Sequence, residues 1–80
     1  MTIYLPELGD NLHSSRKKMF PKDSMAAFAM RCEIGLSTYK KMEKGDLSVG
    51  MNQYFKAAQL LGLQSQFSEL FKMKEDWFND

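Results

Sequence analysis

Apolar residues recur every three or four positions along this chain, and prolines and glycines interrupt the pattern at short intervals. This spacing places apolar side chains on one face of a helix, whereas a half-buried strand needs an alternation that no segment shows convincingly. We therefore expect an all-α protein of five short helices, which begin near Pro6, Met25, Leu36, Met51 and Ser65.

The chain of 80 residues is long enough for one small domain, 1–80, with its core in 5–63 and a C-terminal helix and tail in 65–80. A domain of this size buries roughly 60% of its unfolded surface, so its stability is modest or shared with a second subunit. No apolar run approaches the roughly 18 residues that span a bilayer, and the N-terminus has no basic targeting segment. We expect a cytoplasmic protein without membrane contact.

The chain offers little to an enzyme. Cys32 is the only cysteine and His13 the only histidine, which excludes an internal disulfide and a cysteine-based metal cage. No nucleophile–base pair and no phosphate-cradling loop stand out. We predict a protein that is not an enzyme, with no metal or cofactor, in which Cys32 is a small core residue and His13 lies at the surface.

The net charge of +1 conceals a basic middle segment. Residues 16–44 contain eight basic and three acidic side chains, a charge of 8 − 3 = +5, whereas the chain from Gln66 onward carries −2. This asymmetry favours a polyanionic partner for the middle of the chain.

Two charged residues fall on the apolar faces of their helices. Arg16 lies between Leu12 and Met19 on the stripe of the first helix, and Glu43 shares the inner face of the third helix with Tyr39. An inward charge without a partner is costly, so we predict that Arg16 and Glu43 form an ion pair that ties these helices together. The alternative is that both side chains extend to solvent at the edges of their stripes.

An inward Glu43 turns the opposite face of the third helix outward. That face carries Ser37, Lys40, Lys41 and Lys44. Lysine neutralises DNA phosphates or donates to guanine, and serine hydrogen-bonds to either target. The spacing alone is equally compatible with a face that is merely solvated.

Residues 8–63 resemble the Cro/CI-type (xenobiotic-response-element) helix-turn-helix family. The motifs that carry the resemblance are Leu8-Gly9, Leu12, Arg16, Ser24, Phe28-Ala29, Glu43-x-Gly45 and the string AAQLLGL. The resemblance implies a five-helix, lambda-repressor-like DNA-binding domain with its helix-turn-helix at helices 2 and 3. It also implies a repressor that binds a palindromic operator in double-stranded DNA as a homodimer, with the Arg16–Glu43 pair as a buried family feature.

A narrower likeness is to the HipB-like branch, small regulators often encoded beside HipA-like kinase toxins. It rests on the strings RKKMF and YKKMEKGDLSVGMNQYFKAAQLLGL. This likeness implies an autoregulating antitoxin that binds its own promoter and a HipA-like toxin. The competing hypothesis is a protein-interaction module with weak or no DNA binding.

The chain departs from the family pattern at the turn before the third helix. Glu33-Ile34-Gly35 stands where the family usually has Gly, Ile or Val, and Ser. A non-glycine residue in a left-handed turn costs roughly 1 kcal/mol. Either Glu33 adopts that conformation, or Gly35 takes the positive φ and shifts the turn by two residues. Met25 also replaces a glutamine that commonly contacts DNA.

Carried over position by position, the resemblance implies two sets of DNA contacts. The residues expected to contact base edges are Leu36, Ser37 and Lys41, although Leu36 could instead pack in the core. The residues expected to hold phosphates are Ser24, Thr38, Lys40 and Lys44. The dimer or partner surface is expected at Phe67, Phe71, Trp77 and Phe78, the alternative being a tail that packs back onto the first helix.

Overall fold

A computed structural model describes residues 2–73, which form five helices joined by short loops. Their bounds are α1 Pro6–Met19, α2 Met25–Cys32, α3 Leu36–Glu43, α4 Met51–Leu61 and α5 Ser65–Ser68. The all-α expectation is confirmed for this part of the chain. Extended pairing among the described residues is limited to one antiparallel bridge between Tyr4 and Asp46.

The helix starts follow local sequence signals. Pro6 occupies the first turn of α1, where its missing N–H costs nothing. Ser24 caps α2, because its Oγ accepts a hydrogen bond of 3.1 Å from the backbone N–H of Ala27. Ser65, where the sequence predicts the start of the fifth helix, is the first residue of α5, which is a single turn.

The core lies where α1, α2, α3 and α4 meet. Phe28, Tyr39 and Met42 are its fully buried large side chains, and the rings of Phe28 and Tyr39 pack edge to face with centroids 5.5 Å apart. Cys32 is buried as predicted, and burial raises the pKa of its thiol to about 11. The thiol is therefore protonated and unreactive at neutral pH.

Several residues expected on inner faces are exposed. Leu5 and Met19 have the spacing of the α1 stripe, and Met51 has the spacing of the apolar face of α4, but these side chains are 45%, 56% and 55% exposed. Each lies at or just beyond a helix end, where the side chain projects past the neighbouring helices. Leu70, three residues after Phe67, is also exposed because α5 ends at Ser68.

The backbones of α1 and α3 are in direct contact at Gly9. A Cβ atom on Gly9 would lie 2.4 Å from the carbonyl oxygen of Glu43 and 2.5 Å from the nitrogen of Gly45. These distances are far below van der Waals contact, so only glycine permits this approach. The contact sets the C-terminal end of α3 against the first turn of α1.

Candidate nucleic-acid interface

The Arg16–Glu43 ion pair fixes α3 on α1. Arg16 Nε donates to Glu43 Oε2 at 2.7 Å, and the two side chains are only 4% and 7% exposed. Arg16 also donates through Nη1 to the carbonyl oxygen of Asp23 at 2.9 Å. The predicted pair is confirmed, and the alternative in which both charges extend to solvent is wrong.

Two further side chains complete the environment of the Glu43 carboxylate. The Tyr39 hydroxyl donates to Oε2 at 2.5 Å, and His13 Nδ1 lies 2.9 Å from Oε1. Burial alone would raise the pKa of Glu43, but hydrogen bonds from Arg16, Tyr39 and His13 hold it below its ordinary value. Glu43 is therefore a buried carboxylate that stays ionised at neutral pH.

His13 belongs to this cluster, although the sequence predicts only a surface position for it. Its side chain is 49% exposed, as expected, yet its Nδ1 contacts Glu43. An acceptor oxygen at 2.9 Å requires a proton on Nδ1, so Arg16 Nη2, 3.3 Å from the same atom, cannot donate to it at the same time. The spacing of three residues between His13 and Arg16 was the available signal, as was that of four between Tyr39 and Glu43.

The opposite face of α3 is open to solvent. Its exposed residues, Ser37, Lys40, Lys41 and Lys44, lie within an arc of about 100° at the helical spacing. Among residues 2–73, the lysines of this face form no salt bridge. We call these four residues the lysine face. Their charges are available to a partner outside the chain.

The other expected DNA contacts lie beside the lysine face or on α2. Leu36 is 40% exposed, so the alternative that it packs in the core is wrong. Thr38 is half-buried at the border between the lysine face and the core. Ser24 is exposed at the start of α2, where its oxygen caps the helix and its hydroxyl hydrogen remains free to donate.

Internal pairing removes no net charge from the basic middle segment. Arg31 Nε lies 2.5 Å from the Asp23 carboxylate, and its guanidinium stacks 5.0 Å from the centre of the Phe20 ring. Subtracting this pair and the Arg16–Glu43 pair from residues 16–44 leaves 8 − 2 = 6 basic and 3 − 2 = 1 acidic side chains. The six are lysines and the acidic residue is Glu33, so the charge remains +5.

The turn between α2 and α3 keeps its expected position. Glu33 is left-handed, with φ 59° and ψ 43°, and Ile34 donates its N–H to the Ala29 carbonyl at 2.9 Å. Gly35 has φ −61° and ψ 145°, an ordinary extended conformation that precedes α3. Of the two alternatives, the positive φ at Gly35 is therefore wrong. Glu33 carries the strain, and α3 starts at Leu36 without a shift.

The aromatic residues assigned to a dimer or partner surface differ in their environments. Phe67 is half-buried, with its ring edge-on to Phe55 at a centroid distance of 5.3 Å. Phe71 is 96% exposed. Trp77 and Phe78 lie outside the described residues. Phe71 is thus the described member of the set that is free to contact another molecule.

Comparison with protein-family models, with curated proteins and with solved structures finds no match for this chain. Within residues 2–73, no three metal-binding side chains come together, and no helix is long and apolar enough to cross a membrane.

Proposed function

We propose that this chain is a sequence-specific DNA-binding transcriptional regulator, a repressor that binds a palindromic operator as a homodimer and inserts α3 into the major groove. The observation that carries the proposal is the two-sided nature of α3. Glu43 anchors one side to α1, and the lysines of the lysine face on the other side form no salt bridge among the described residues. A short helix held rigidly with its cations outward has the form of a recognition helix.

The α2–turn–α3 unit supports a helix-turn-helix as the finer description of the fold. Two eight-residue helices flank a three-residue turn, whose first residue is left-handed and whose second residue, Ile34, is buried at 6% exposure. The buried side chain holds the two helices at a fixed angle, as a recognition unit requires. We include the lambda-repressor-like assignment in the proposal on this basis.

Residues take different roles in the proposed complex. Ser37 and Lys41 would contact base edges, and Leu36 would contact a thymine methyl group. Thr38, Lys40 and Lys44 would hold phosphates, with Ser24 and the start of α2 as a further phosphate contact. The antitoxin role and the HipA-like toxin rest on sequence resemblance alone, so the broader function is the one proposed.

The salt dependence of DNA binding tests this proposal. The full chain is titrated against a labelled fragment from upstream of its own gene, and against a fragment of scrambled sequence, at two salt concentrations. A DNA reader should bind the upstream fragment more tightly and lose affinity steeply at the higher salt, because lysines displace counterions from phosphates. Absence of binding at the lower salt would favour the protein-interaction module.

A further inference from the structure

The segment before α1 forms a short strand against the loop that follows α3. Leu5 donates its N–H to the Gly45 carbonyl at 2.7 Å, and Leu47 donates its N–H to the Ile3 carbonyl at 2.9 Å. Tyr4 therefore lies opposite Asp46 as a pair that exchanges no hydrogen bond of its own. The backbone N–H and C=O of Tyr4 must point to the other edge of the strand.

That outer edge is unoccupied among the described residues. The Tyr4 N–H and C=O have no backbone partner within residues 2–73. The side chains along the strand are apolar and open to solvent: Ile3 is 66%, Tyr4 53% and Leu5 45% exposed, and Leu47 on the paired strand is 45% exposed. No side chain from Thr2 to Pro6 is charged. A neutral, apolar edge with a free donor and acceptor is a site for strand addition.

We propose that the occupant of this edge is the same strand of a second copy of the chain, antiparallel and centred on Tyr4. In antiparallel pairing, the N–H and C=O of one residue face the same side, so two Tyr4 residues related by a two-fold axis satisfy each other. Because the strand is neutral, the two copies bring no like charges together. The pairing rests on the homodimer of the proposed function and assigns its interface to the strand before α1, and it requires no DNA.

The same register brings the apolar side chains together. Ile3 of one copy lies opposite Leu5 of the other, and directly opposite residues point to the same face. Leu47 lies opposite Ile3 within each copy, so it joins that face. Pro6 has no N–H and begins α1, which confines the pairing to residues 2–5.

Removing the single N–H of Tyr4 tests the pairing. Tyr4→Pro deletes the donor but keeps the Leu5 N–H and the Ile3 carbonyl that hold the strand to its own loop, and Tyr4→Ala, which keeps the donor, is the matched control. Sedimentation equilibrium without DNA measures dimerisation, and thermal unfolding verifies the fold. Loss of the two symmetric hydrogen bonds should weaken the Tyr4→Pro dimer about 30-fold relative to Tyr4→Ala.

A monomeric wild type overturns the proposal, and so does a Tyr4→Pro dimer as tight as that of Tyr4→Ala. If Tyr4→Pro dimerises as tightly as Tyr4→Ala and the Phe71→Ala variant is monomeric, the dimer surface lies after α5 instead. A monomeric wild type would also contradict the homodimer of the proposed function, whereas a Tyr4→Pro dimer as tight as that of Tyr4→Ala would not. DNA binding by α3 is measured separately, so failure of the Tyr4 pairing is distinguishable from failure of DNA binding.

Disulfide trapping tests the register in a Cys32→Ala background. Paired Tyr4 residues would have Cα atoms about 5.5 Å apart, so Tyr4→Cys should form a covalent dimer under mild oxidation. Two Leu5 residues in the same register would be about 8 Å apart, beyond the reach of a disulfide, so Leu5→Cys is the negative control. No covalent dimer for Tyr4→Cys, or equal yields from both variants, overturns the proposal.

Discussion

Arg16 Nε lies 2.7 Å from Glu43 Oε2 at a nearly dry site between α1 and the end of α3. The carboxylate also accepts hydrogen bonds from Tyr39 and His13, so each of its oxygens has a donor. Glu43 is the last residue of α3, and its contact with Arg16 turns that side of the helix toward α1. The same contact turns the lysine face to solvent, which links the stability of the fold to its proposed function.

Breaking the buried pair from one side should destabilise the protein strongly. We expect Glu43→Gln to lower the free energy of unfolding by about 3–5 kcal/mol, because Arg16 would keep its charge without a partner. Urea denaturation measures the change. The double variant Arg16→Met/Glu43→Leu should recover most of the loss. Asp23→Asn, whose partner Arg31 is 52% exposed, should have a smaller effect. Equal losses for Glu43→Gln and Asp23→Asn would contradict the buried pair.

Stability should fall in acid because of the same carboxylate. The pKa of Glu43 is lowered in the folded state, so its contribution is complete above the ordinary glutamate pKa, about 4.3, and is lost as the pH falls through the lower folded pKa. NMR titration of the carboxyl carbon measures that pKa directly. Arg16→Met should shift it upward, and an unchanged pKa would show that Arg16 does not stabilise the ionised form.

The ion pair could be inferred from sequence because a charge on an apolar stripe demands a partner, and few partners were present. The helices were predictable from local chemistry, because the residue types at their ends favour starting or stopping a helix, as at Pro6, Ser24, Gly45 and Gly62. Contacts that depend on how two elements meet were not predictable. The antiparallel pairing of Tyr4 with Asp46 joins segments about forty residues apart, and no local sequence pattern predicts it.

The sequence left two positions open for the left-handed residue of the turn, Glu33 and Gly35. Glycine favours positive φ by local energetics, which made Gly35 a reasonable candidate. In the structure the left-handed residue is Glu33. Tertiary packing favours it, because the burial of Ile34 and its hydrogen bond to the Ala29 carbonyl require that conformation at Glu33. The local preference is worth roughly 1 kcal/mol, less than a buried isoleucine side chain contributes.

Substitutions in the turn should therefore reverse the usual expectation for glycine. Gly35→Ala should be tolerated or stabilising by about 0.4–1 kcal/mol, because φ is −61° and no atom lies within 4 Å of the added Cβ. Glu33→Gly should relieve strain and raise stability by up to about 1 kcal/mol. Thermal unfolding of both variants checks this. Marked destabilisation of Gly35→Ala alone would place the left-handed residue at Gly35 after all.

The approach of α1 to α3 should be equally sensitive to one methyl group. Gly9→Ala places a Cβ atom 2.4 Å from the Glu43 carbonyl oxygen, so α1 must move away from α3. We expect a loss of about 1–3 kcal/mol in unfolding free energy, typical of overpacking. Gly50→Ala is the control, since its Cβ would meet only the flexible side chain of Asn52. Similar stabilities for the two variants would contradict the close helix contact.

Charge reversal on the lysine face tests whether α3 binds DNA. The variant Lys41→Glu/Lys44→Glu is compared with the control Lys56→Glu/Lys72→Glu, which makes the same charge change on α4 and beyond α5. Binding of each variant to the upstream DNA fragment is measured over a series of salt concentrations. Both should fold like the wild type, because Lys41, Lys44 and Lys72 are exposed and the half-buried Lys56 is not a core residue. We expect the first variant to lose specific binding, and its salt slope to be smaller by about one for each phosphate-binding lysine removed. The second variant should keep the specific binding and the salt slope of the wild type. Equal binding by the two variants would show that α3 does not contact DNA.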